Sequence, residues 1–393
     1  YLVNDNSLNA FVAAGQNIFV HSGLLEEADN PDQVIGVIAH ETGHIIGGHL
    51  SRVREAMKKA SRVTSVAFIL GALAAAAGSP DAAMAVLMKG NEVAGRTYLN
   101  YSRVQESSAD QAAIRLLRKT GQSPLGLREF MAKLQSLELS RRIEQVSYSR
   151  SHPLTRERVS SLDAAIKDSP YSDVHATDEL NRVHQRVRAK LFGFLHSLED
   201  TLIRYPQSDQ SVPARYARAI AYHKVANLRA ALSEINSILV ELPDDPYILE
   251  LKGQIYYEHG KIPESVKLYQ LAVNQSPQEP LILASLGAAQ LALEQPELAA
   301  RAVENLNASL AFDPDNTIAW LQLAVAYNDV GNPGMANLAT AERYVRMGMR
   351  SEAMQQAERA IHKLPEGSSG WIRANDIQNY IRSLPRPKVR RHG

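Results

Sequence analysis

Cysteine is absent from this chain of 393 residues. The absence excludes a disulfide scaffold, a zinc site built on thiolates and a cysteine nucleophile. It does not assign the protein to an oxidising or a reducing compartment, because a chain without thiols is compatible with both. A metal ion in this protein would therefore have to be held by histidine and carboxylate side chains.

Net charge is also nearly absent, because 43 Lys and Arg residues are matched by 42 Asp and Glu residues, for a formal charge of +1. Without an excess of either sign the protein has no long-range field that would attract a polyanion, which argues against nucleic acid as a partner. The composition, 45% hydrophobic and 22% charged, is typical of globular proteins. The length suggests two or three domains.

The chain begins at Tyr1 rather than at a methionine, inside a strand-like run. We therefore expect it to begin part-way into a domain and to have lost any targeting segment. Residues 1–25 are predicted to form short strands, with a hairpin at the corner Gly15-Gln16-Asn17.

Most of the remaining chain has a helical pattern. A helix should begin at Asn30-Pro31-Asp32-Gln33, where asparagine can cap the helix, proline fits its first position and glutamine follows three residues after the cap. We expect this helix to run to about Lys59. Two further helices are predicted over residues 91–120 and 124–139.

The second half of the chain is repetitive. Small residues recur at intervals of 34, 34 and 37 positions, at Ala219, Gly253, Gly287 and Ala324. A helix-ending proline closes each of the first three units, at Pro243, Pro277 and Pro314. This is the tetratricopeptide (TPR) pattern, in which small residues mark the places where paired helices touch. We count four repeats and a partial fifth.

A short stretch rich in proline, serine and aspartate, residues 168–176, is predicted to be a linker. The predicted organisation has a first domain that is N-terminally truncated, then a linker with a connecting helix, a TPR superhelix and a basic tail, over residues 1–168, 169–211, 212–385 and 386–393.

The helix that begins near Pro31 carries the string His40-Glu41-Thr42-Gly43-His44. Residues four apart lie about 40° apart around a helix, so both imidazoles can reach one ion. Zinc suits imidazole and carboxylate ligands and leaves a position open for water. Glu41 would then lie beside that water as a general base. The flanking helix is strongly apolar, so two histidines and a glutamate would be costly there without a ligand, although a satisfied pair of core histidines stays an alternative.

A third ligand is required. His49 lies nine residues after His40, about 180° around a continuous helix, and we interpret it as an ordinary helix-surface histidine. Glu106 is the better candidate, because Asp110 follows four residues later on the same face and can accept the second ring N–H of a ligand histidine. Glutamate and aspartate at this spacing are also typical of a solvated helix face, so the residues alone leave this ligand open.

Several motifs together resemble the HtpX/CAAX-protease family of zinc metallopeptidases: Asn9-Ala10-Phe11, Gly15-Gln16-Asn17-Ile18-Phe19-Val20, Gly23-Leu24-Leu25, then HETGH and ESSAD. With the repeats, the resemblance covers nearly the whole chain and is to periplasmic members of that family. It implies a mainly α-helical fold with a small β-sheet, a gluzincin-type HExxH domain, followed by an α-solenoid of TPR repeats. It also implies one zinc ion per chain, held by His40, His44 and Glu106, with Glu41 as the base and Asp110 supporting a ligand.

In such enzymes an extended substrate adds to an edge strand, which here would involve Asn9, Ala10 and Phe11. An unpaired strand edge offers main-chain hydrogen bonds that do not depend on sequence, as a protease of unfolded chains needs.

The same resemblance places the loop Ser151-His152-Pro153-Leu154 over the cleft. His152 would donate a hydrogen bond to the oxyanion of the transition state, or bind zinc as a fourth ligand and silence the enzyme; an exposed histidine without a role is the third reading. We favour the gating role. Arg158 is expected to position the loop or the substrate carbonyl.

The longest uncharged stretch, residues 63–80, is rich in alanine and is broken by glycine and proline. A membrane span needs about 20 strongly apolar residues, so we expect a buried helix or helical hairpin instead. Two alternatives stay open for this region, residues 63–90: a plug over the active site, or a peripheral contact with a membrane.

These features predict a soluble zinc endopeptidase of the Gram-negative periplasm. Its substrates would be unfolded or misassembled proteins, and its TPR repeats would recruit clients or a partner; by resemblance, these are outer-membrane proteins and their assembly complex. One alternative is a TPR chaperone or scaffold for outer-membrane protein assembly with a latent, self-inhibited protease. Another is a membrane-embedded protease of the CAAX type, which would need continuous apolar spans.

Overall fold

The computed structural model of the protein describes residues 1–50, 52, 58, 61–62, 64–70, 80–141, 148–149 and 152–384. The chain divides into two units, Tyr1–Phe192 and Gly193–Gly393. Both are built mainly from helices, and a small sheet lies in the first unit. The predicted fold class is confirmed, whereas the predicted domain boundaries stay predictions.

Three short strands form the sheet: β1 (Leu2–Val3), β2 (Ala10–Ala13) and β3 (Asn17–His21), in the order β1-β3-β2. Strand β2 runs antiparallel to β3, with Phe11 opposite Phe19, so the predicted hairpin is confirmed. Gly15 has a φ of +98° at the corner, a conformation that glycine adopts without steric cost. Because β3 lies in the centre, β2 is an edge strand.

The strand prediction is wrong at residues 22–25, which belong to helix α1 (Ser22–Glu27). Leu24 is fully buried there, and a side chain on Gly23 would collide with the backbone of Asn6. The conformation of residues 22–25 is therefore determined by packing against the preceding segment and not by the local sequence pattern.

Helix α2 (Pro31–Ile46) begins as predicted, with the Asn30 side chain accepting a hydrogen bond from the Gln33 amide at 3.0 Å. It does not run to about Lys59, and that expectation is wrong. The helix ends at Ile46 because Gly47 and Gly48 follow, and Gly48 has a φ of +62°, which reverses the chain.

Among the described residues, the first unit also contains α3 (Pro80–Lys119), α4 (Leu125–Arg141), α5 (Arg156–Lys167) and α6 (Asp178–Leu195), the last of which extends into the second unit. The two predicted helices after residue 90 correspond to α3 and α4. Helix α2 packs against both, and α5 packs against the same two helices. The core residues Val37, Phe130 and Leu134 are fully buried between these elements.

Residues 64–70 are helical, but the expectation of a buried helix is wrong for them. Val66, Phe68, Ile69 and Leu70 are all more than half exposed, and only Ala67 is buried. Residues 71–79 lie outside the described residues, so the alternatives of a plug or a membrane contact stay predictions. None of the helices in the described part of the chain combines the length and the apolar character that a membrane span needs.

The second unit is a series of helices joined by short connections. After α7 (Leu198–Arg204) its helices are α8 (Val212–Lys224), α9 (Leu228–Glu241), α10 (Pro246–Glu258), α11 (Ile262–Gln275), α12 (Pro280–Leu291), α13 (Pro296–Phe312), α14 (Thr317–Asp329), α15 (Pro333–Arg346), α16 (Arg350–Lys363) and α17 (Ser369–Ser383).

Successive helices of this series pack on each other as TPR helices do. The repeated small residues lie at their contacts, since a Cβ on Gly253 would come within 3.0 Å of the Tyr269 ring, and a Cβ on Gly287 within 2.7 Å of Leu306. Gln290 is buried among these helices and accepts a hydrogen bond from Asn305 at 2.9 Å. The basic tail, residues 386–393, lies outside the described residues.

Candidate metal centre

A close approach of α2 and α3 creates the site. Gly43 lies against α3, where a Cβ would come within 2.6 Å of the Ala109 carbonyl oxygen. The lack of a side chain at Gly43 lets the two backbones touch. His40 and His44 on one helix therefore face Glu106 and Asp110 on the other.

Four side chains direct nitrogen or oxygen atoms at one point: His40, His44, Glu106 and His152. The His40 Nε2 atom lies 3.1 Å from His44 Nε2, 3.3 Å from Glu106 Oε2 and 3.4 Å from His152 Nδ1. Glu106 Oε1 lies 3.4 Å from His44 Nε2 and 3.2 Å from His152 Nδ1. All four candidate ligand atoms lie within 4.8 Å of one another.

The donor set fits a metal ion. His40 Nδ1 lies 2.9 Å from Asp110 Oδ1, so this nitrogen carries the ring proton of a neutral His40 and its Nε2 has a free lone pair. That lone pair faces a second imidazole nitrogen and a carboxylate oxygen, an arrangement that a cation between them would satisfy. Ligand atoms at the corners of a tetrahedron around zinc lie about 3.3 Å apart, which matches these separations.

The electrostatics of the site favour a bound cation. Burial alone would lower the pKa of His40, but its contacts with Asp110 and Glu106 outweigh burial and raise the pKa to about 9. Burial opposes ionisation of Glu106, yet hydrogen bonds with His152, His40 and His44 hold its pKa well below the usual value. Burial lowers the pKa of His44. The cluster therefore holds an ionised carboxylate and attracts a positive charge.

Asp110 and Arg158 form a buried pair behind the ligands. Arg158 Nε and Nη2 donate to the two oxygens of Asp110 at 2.6 and 2.9 Å, and Nη1 lies 3.0 Å from Glu106 Oε2. Burial opposes ionisation of Asp110, but its hydrogen bonds with His40 and Arg158 lower its pKa. Arg158 Nη1 also donates to the Pro153 carbonyl oxygen at 2.9 Å, so it holds the loop that carries His152.

Glu41 lies beside the four donors and is not one of them. It is only 1% exposed, and its Oε1 atom is 3.4 Å from the Tyr148 hydroxyl and 3.5 Å from His152 Nε2. Burial raises the pKa of Glu41, which brings it towards the range of a general base. Its second oxygen has no hydrogen-bond partner among the described residues.

A model of the peptidase family M48 matches residues 1–166, and a TPR repeat model matches residues 253–293. The chain is a metallopeptidase with an M48 domain and TPR repeats. A beta-barrel assembly-enhancing protease of Yersinia pestis is 26% identical over 390 residues, with 98% of this chain and 79% of the relative covered. The protein of that name in Escherichia coli strain K12 is 25% identical over 398 residues, with 98% and 78% covered. Metalloprotease LoiP of the same strain is 33% identical over 162 residues, with 41% of this chain and 59% of the relative covered.

Tyr148 is a residue of the M48 domain that the sequence did not single out from other tyrosines. It is fully buried, and its ring stacks on His152 with centroids 4.5 Å apart. Its hydroxyl points to Glu41, and burial raises its pKa, so it stays a neutral donor. Spacing along the chain carries no signal for this contact, because Tyr148 and Glu41 are 107 residues apart.

His49 is not a surface residue, and that interpretation is wrong. Only 3% of it is exposed, and its Nδ1 atom lies 3.0 Å from His44 Nδ1. The chain reverses at Gly48, so the position of His49 cannot be extrapolated from a continuous helix. Burial and the neighbouring His44 lower the pKa of His49 to about 4.

One edge of β2 pairs with β3, and among the described residues no strand pairs with its other, outer edge. The Asn9 carbonyl accepts from the His21 amide at 3.0 Å and so faces β3. Main-chain groups alternate along an antiparallel pair, so those of Phe11 face β3 as well, and those of Ala10 and Val12 face outwards. Of the three predicted substrate-binding residues, Ala10 is therefore the one whose main chain lies on the outer edge.

A groove of about 350 Å³ lies between the hairpin and the end of α2. It is lined by Val12, Gly15, Gln16, His44, Ile45, Gly48 and Leu50. Its walls are largely apolar, and one of its lining residues is also a member of the four-donor cluster.

Proposed function

We propose that this protein is a zinc-dependent endopeptidase of the Gram-negative periplasm that degrades misfolded or stalled outer-membrane proteins. The observation that carries the proposal is the convergence of the buried His40 and Glu106 with the half-buried His44, with a carboxylate, Glu41, beside them and outside the donor set. The relatives named as beta-barrel assembly-enhancing proteases support the substrate class.

One zinc ion per chain would be held by His40, His44 and Glu106. When bound, zinc supplies a Lewis acid that lowers the pKa of a water molecule and polarises a substrate carbonyl. Asp110 fixes the ring proton of His40 on Nδ1, which leaves Nε2 free to bind the metal. Arg158 keeps Asp110 ionised and in place.

Glu41 carries the proton transfers. As a buried carboxylate with a raised pKa, it takes a proton from the attacking water and then delivers one to the leaving amine. The Tyr148 hydroxyl, 3.4 Å from Glu41, is placed to donate to the oxyanion once substrate displaces the present contact.

An extended substrate pairs with the outer edge of β2. The outward main-chain groups of Ala10 and Val12 provide hydrogen bonds that any sequence can make, which suits a protease of unfolded chains. Side chains alternate along such a strand, so one of them enters the apolar groove at Val12 and Ile45.

His152 keeps the resting site closed. Its Nδ1 atom lies 3.2 Å from both Glu106 oxygens and belongs to the four-donor set, so with zinc bound it would take the position that a water molecule needs. Tyr148 also contacts the start of the substrate edge, because its amide donates to the Leu8 carbonyl at 3.1 Å.

The TPR unit recruits clients or an outer-membrane assembly complex, as its repeats are a fold that presents binding surfaces. The exposed apolar residues of the segment 64–70 support a peripheral membrane contact in the same region.

The closed state of His152 also favours a second candidate, a TPR chaperone or scaffold whose protease is latent. Glu41→Gln separates the two, because it removes the base and preserves the shape and the metal ligands. The endopeptidase proposal predicts that this variant keeps zinc and folding, loses casein cleavage by about 10²–10⁴-fold, and fails to clear misassembled outer-membrane proteins in cells. Full cellular function of Glu41→Gln would contradict the proposal and favour the scaffold.

A further inference from the structure

The His49 side chain packs against the C-terminal end of helix α2. Gly47 leaves room for the imidazole, since a Cβ at this position would come within 2.2 Å of His49 Nε2. Gly48, with its φ of +62°, turns the chain so that His49 folds back towards the helix. The Gln105 side chain lies 3.5 Å from the His49 carbonyl and ties this turn to α3.

The ring of His49 meets the ring nitrogen of His44 that faces away from the donor cluster. The two Nδ1 atoms are 3.0 Å apart and the rings are nearly perpendicular, with centroids 4.9 Å apart. His44 Nε2 points at Glu106 Oε1, 3.4 Å away. A metal bound at Nε2 requires the ring proton of His44 to be on Nδ1, where it is directed at His49.

Different groups therefore face the Nδ1 atoms of the two histidines of the motif. The Nδ1 atom of His40 lies 2.9 Å from the carboxylate of Asp110, and the Nδ1 atom of His44 has the imidazole of His49 at the equivalent position. We propose that His49 is a positioning residue of the metal centre, which accepts the Nδ1 proton of His44 and so fixes the ring with Nε2 towards the metal. This inference rests on the proposed function, because it assumes a metal bound by His44.

Asparagine and leucine at position 49 provide a matched pair of variants. The two side chains have nearly the same shape, and the Oδ1 atom of asparagine takes the place of imidazole Nδ1 as an acceptor, whereas leucine has none. The experiment is a zinc titration of the full-length, metal-free chain in competition with a chromophoric chelator. Long-range proton–nitrogen NMR of the zinc-loaded protein reports which nitrogen of His44 carries the proton.

We expect His49→Leu to bind zinc about 10- to 100-fold more weakly than wild type and His49→Asn to stay within about threefold of it. The NMR spectrum of the wild type should show a proton on His44 Nδ1. Thermal unfolding of the metal-free variants checks that each is folded. Equal zinc affinity of the wild type and His49→Leu, or equal losses in both variants, would overturn the role of His49. A wild-type chain that binds no zinc would instead overturn the proposed function.

Discussion

Replacing His152 with alanine should activate the protease. The closed state depends on the contact of His152 with Glu106, 3.2 Å from each carboxylate oxygen. A hydrogen bond to a charged group contributes about 1.5–3 kcal/mol, which corresponds to a factor of roughly 10–150 in the ratio of closed to open molecules. If the closed state dominates, the rate of cleavage rises by that factor, because it is proportional to the open fraction.

The assay is cleavage of unfolded casein by samples with equal zinc content. His175→Ala is the matched control, because His175 is exposed and lies outside the donor cluster. We expect His152→Ala to be about 10- to 100-fold faster than wild type, and the control to be unchanged. Unchanged activity in His152→Ala would refute gating, and a fall in activity would assign His152 to the oxyanion.

Three further predictions concern substrate binding, the support of the ligands and pH. Val12→Pro removes an outward main-chain N–H that the control variant Val12→Ala retains. Only the proline variant should raise the KM for unfolded substrates, by about 2- to 10-fold for the loss of one hydrogen bond. Equal KM values for the two variants would contradict substrate pairing with this strand edge. Asp110→Asn should weaken zinc binding by about 10- to 100-fold, and it should lower the free energy of unfolding by about 3 kcal/mol because Arg158 loses its buried ionised partner. Competition with a chelator measures the first effect and chemical denaturation the second. A variant unchanged in both would contradict the supporting role of Asp110. The pKa of His40 is raised to about 9 without metal, so zinc must displace a proton from this side chain to bind. The apparent zinc affinity should therefore rise about tenfold per pH unit between pH 7 and 8.5. An affinity that does not change with pH over this range would contradict the prediction. By the same shift, the stability that protonated His40 gives the metal-free chain is complete below pH 6.5 and is lost as the pH rises through about 9.

The core of the site could be predicted because it depends on helical periodicity. His40 and His44 share one helix face, as do Glu106 and Asp110, and each pair needs only a helix to bring its members together. The contact between these two helices could be predicted only from the resemblance to a known family, since no local pattern specifies which helices pack together. In the structure this contact is made possible by Gly43 against Ala109.

A continuous helix through Gly47 and Gly48 wrongly predicts the position of His49, because helix α2 ends before these two glycines. Gly47 and Gly48 were visible in the sequence and are typical of a helix end, so a C-terminal cap could have been predicted there. The direction of the chain after that cap depends on the φ of Gly48, which the sequence does not specify. Tyr148 could not be selected from the other tyrosines of the sequence, because its contact with Glu41 depends entirely on tertiary packing.

The exposed apolar residues around Phe68 also could not be predicted. An alanine-rich, uncharged run normally favours burial, because apolar side chains are stabilised by removal from water. Val66, Phe68, Ile69 and Leu70 instead lie on the surface, although the periodicity correctly indicates a helix. For this segment, the sequence pattern therefore predicts the helical conformation correctly but does not predict whether the helix is buried or exposed.

Elemental analysis of the purified chain tests the central claim most directly, when wild type, Glu41→Gln and Glu106→Ala are measured side by side. The account predicts one zinc per chain in the wild type and in Glu41→Gln, and much less than one in Glu106→Ala. A wild-type chain without a stoichiometric transition metal, or a Glu106→Ala variant that retains as much zinc as the wild type, would contradict it.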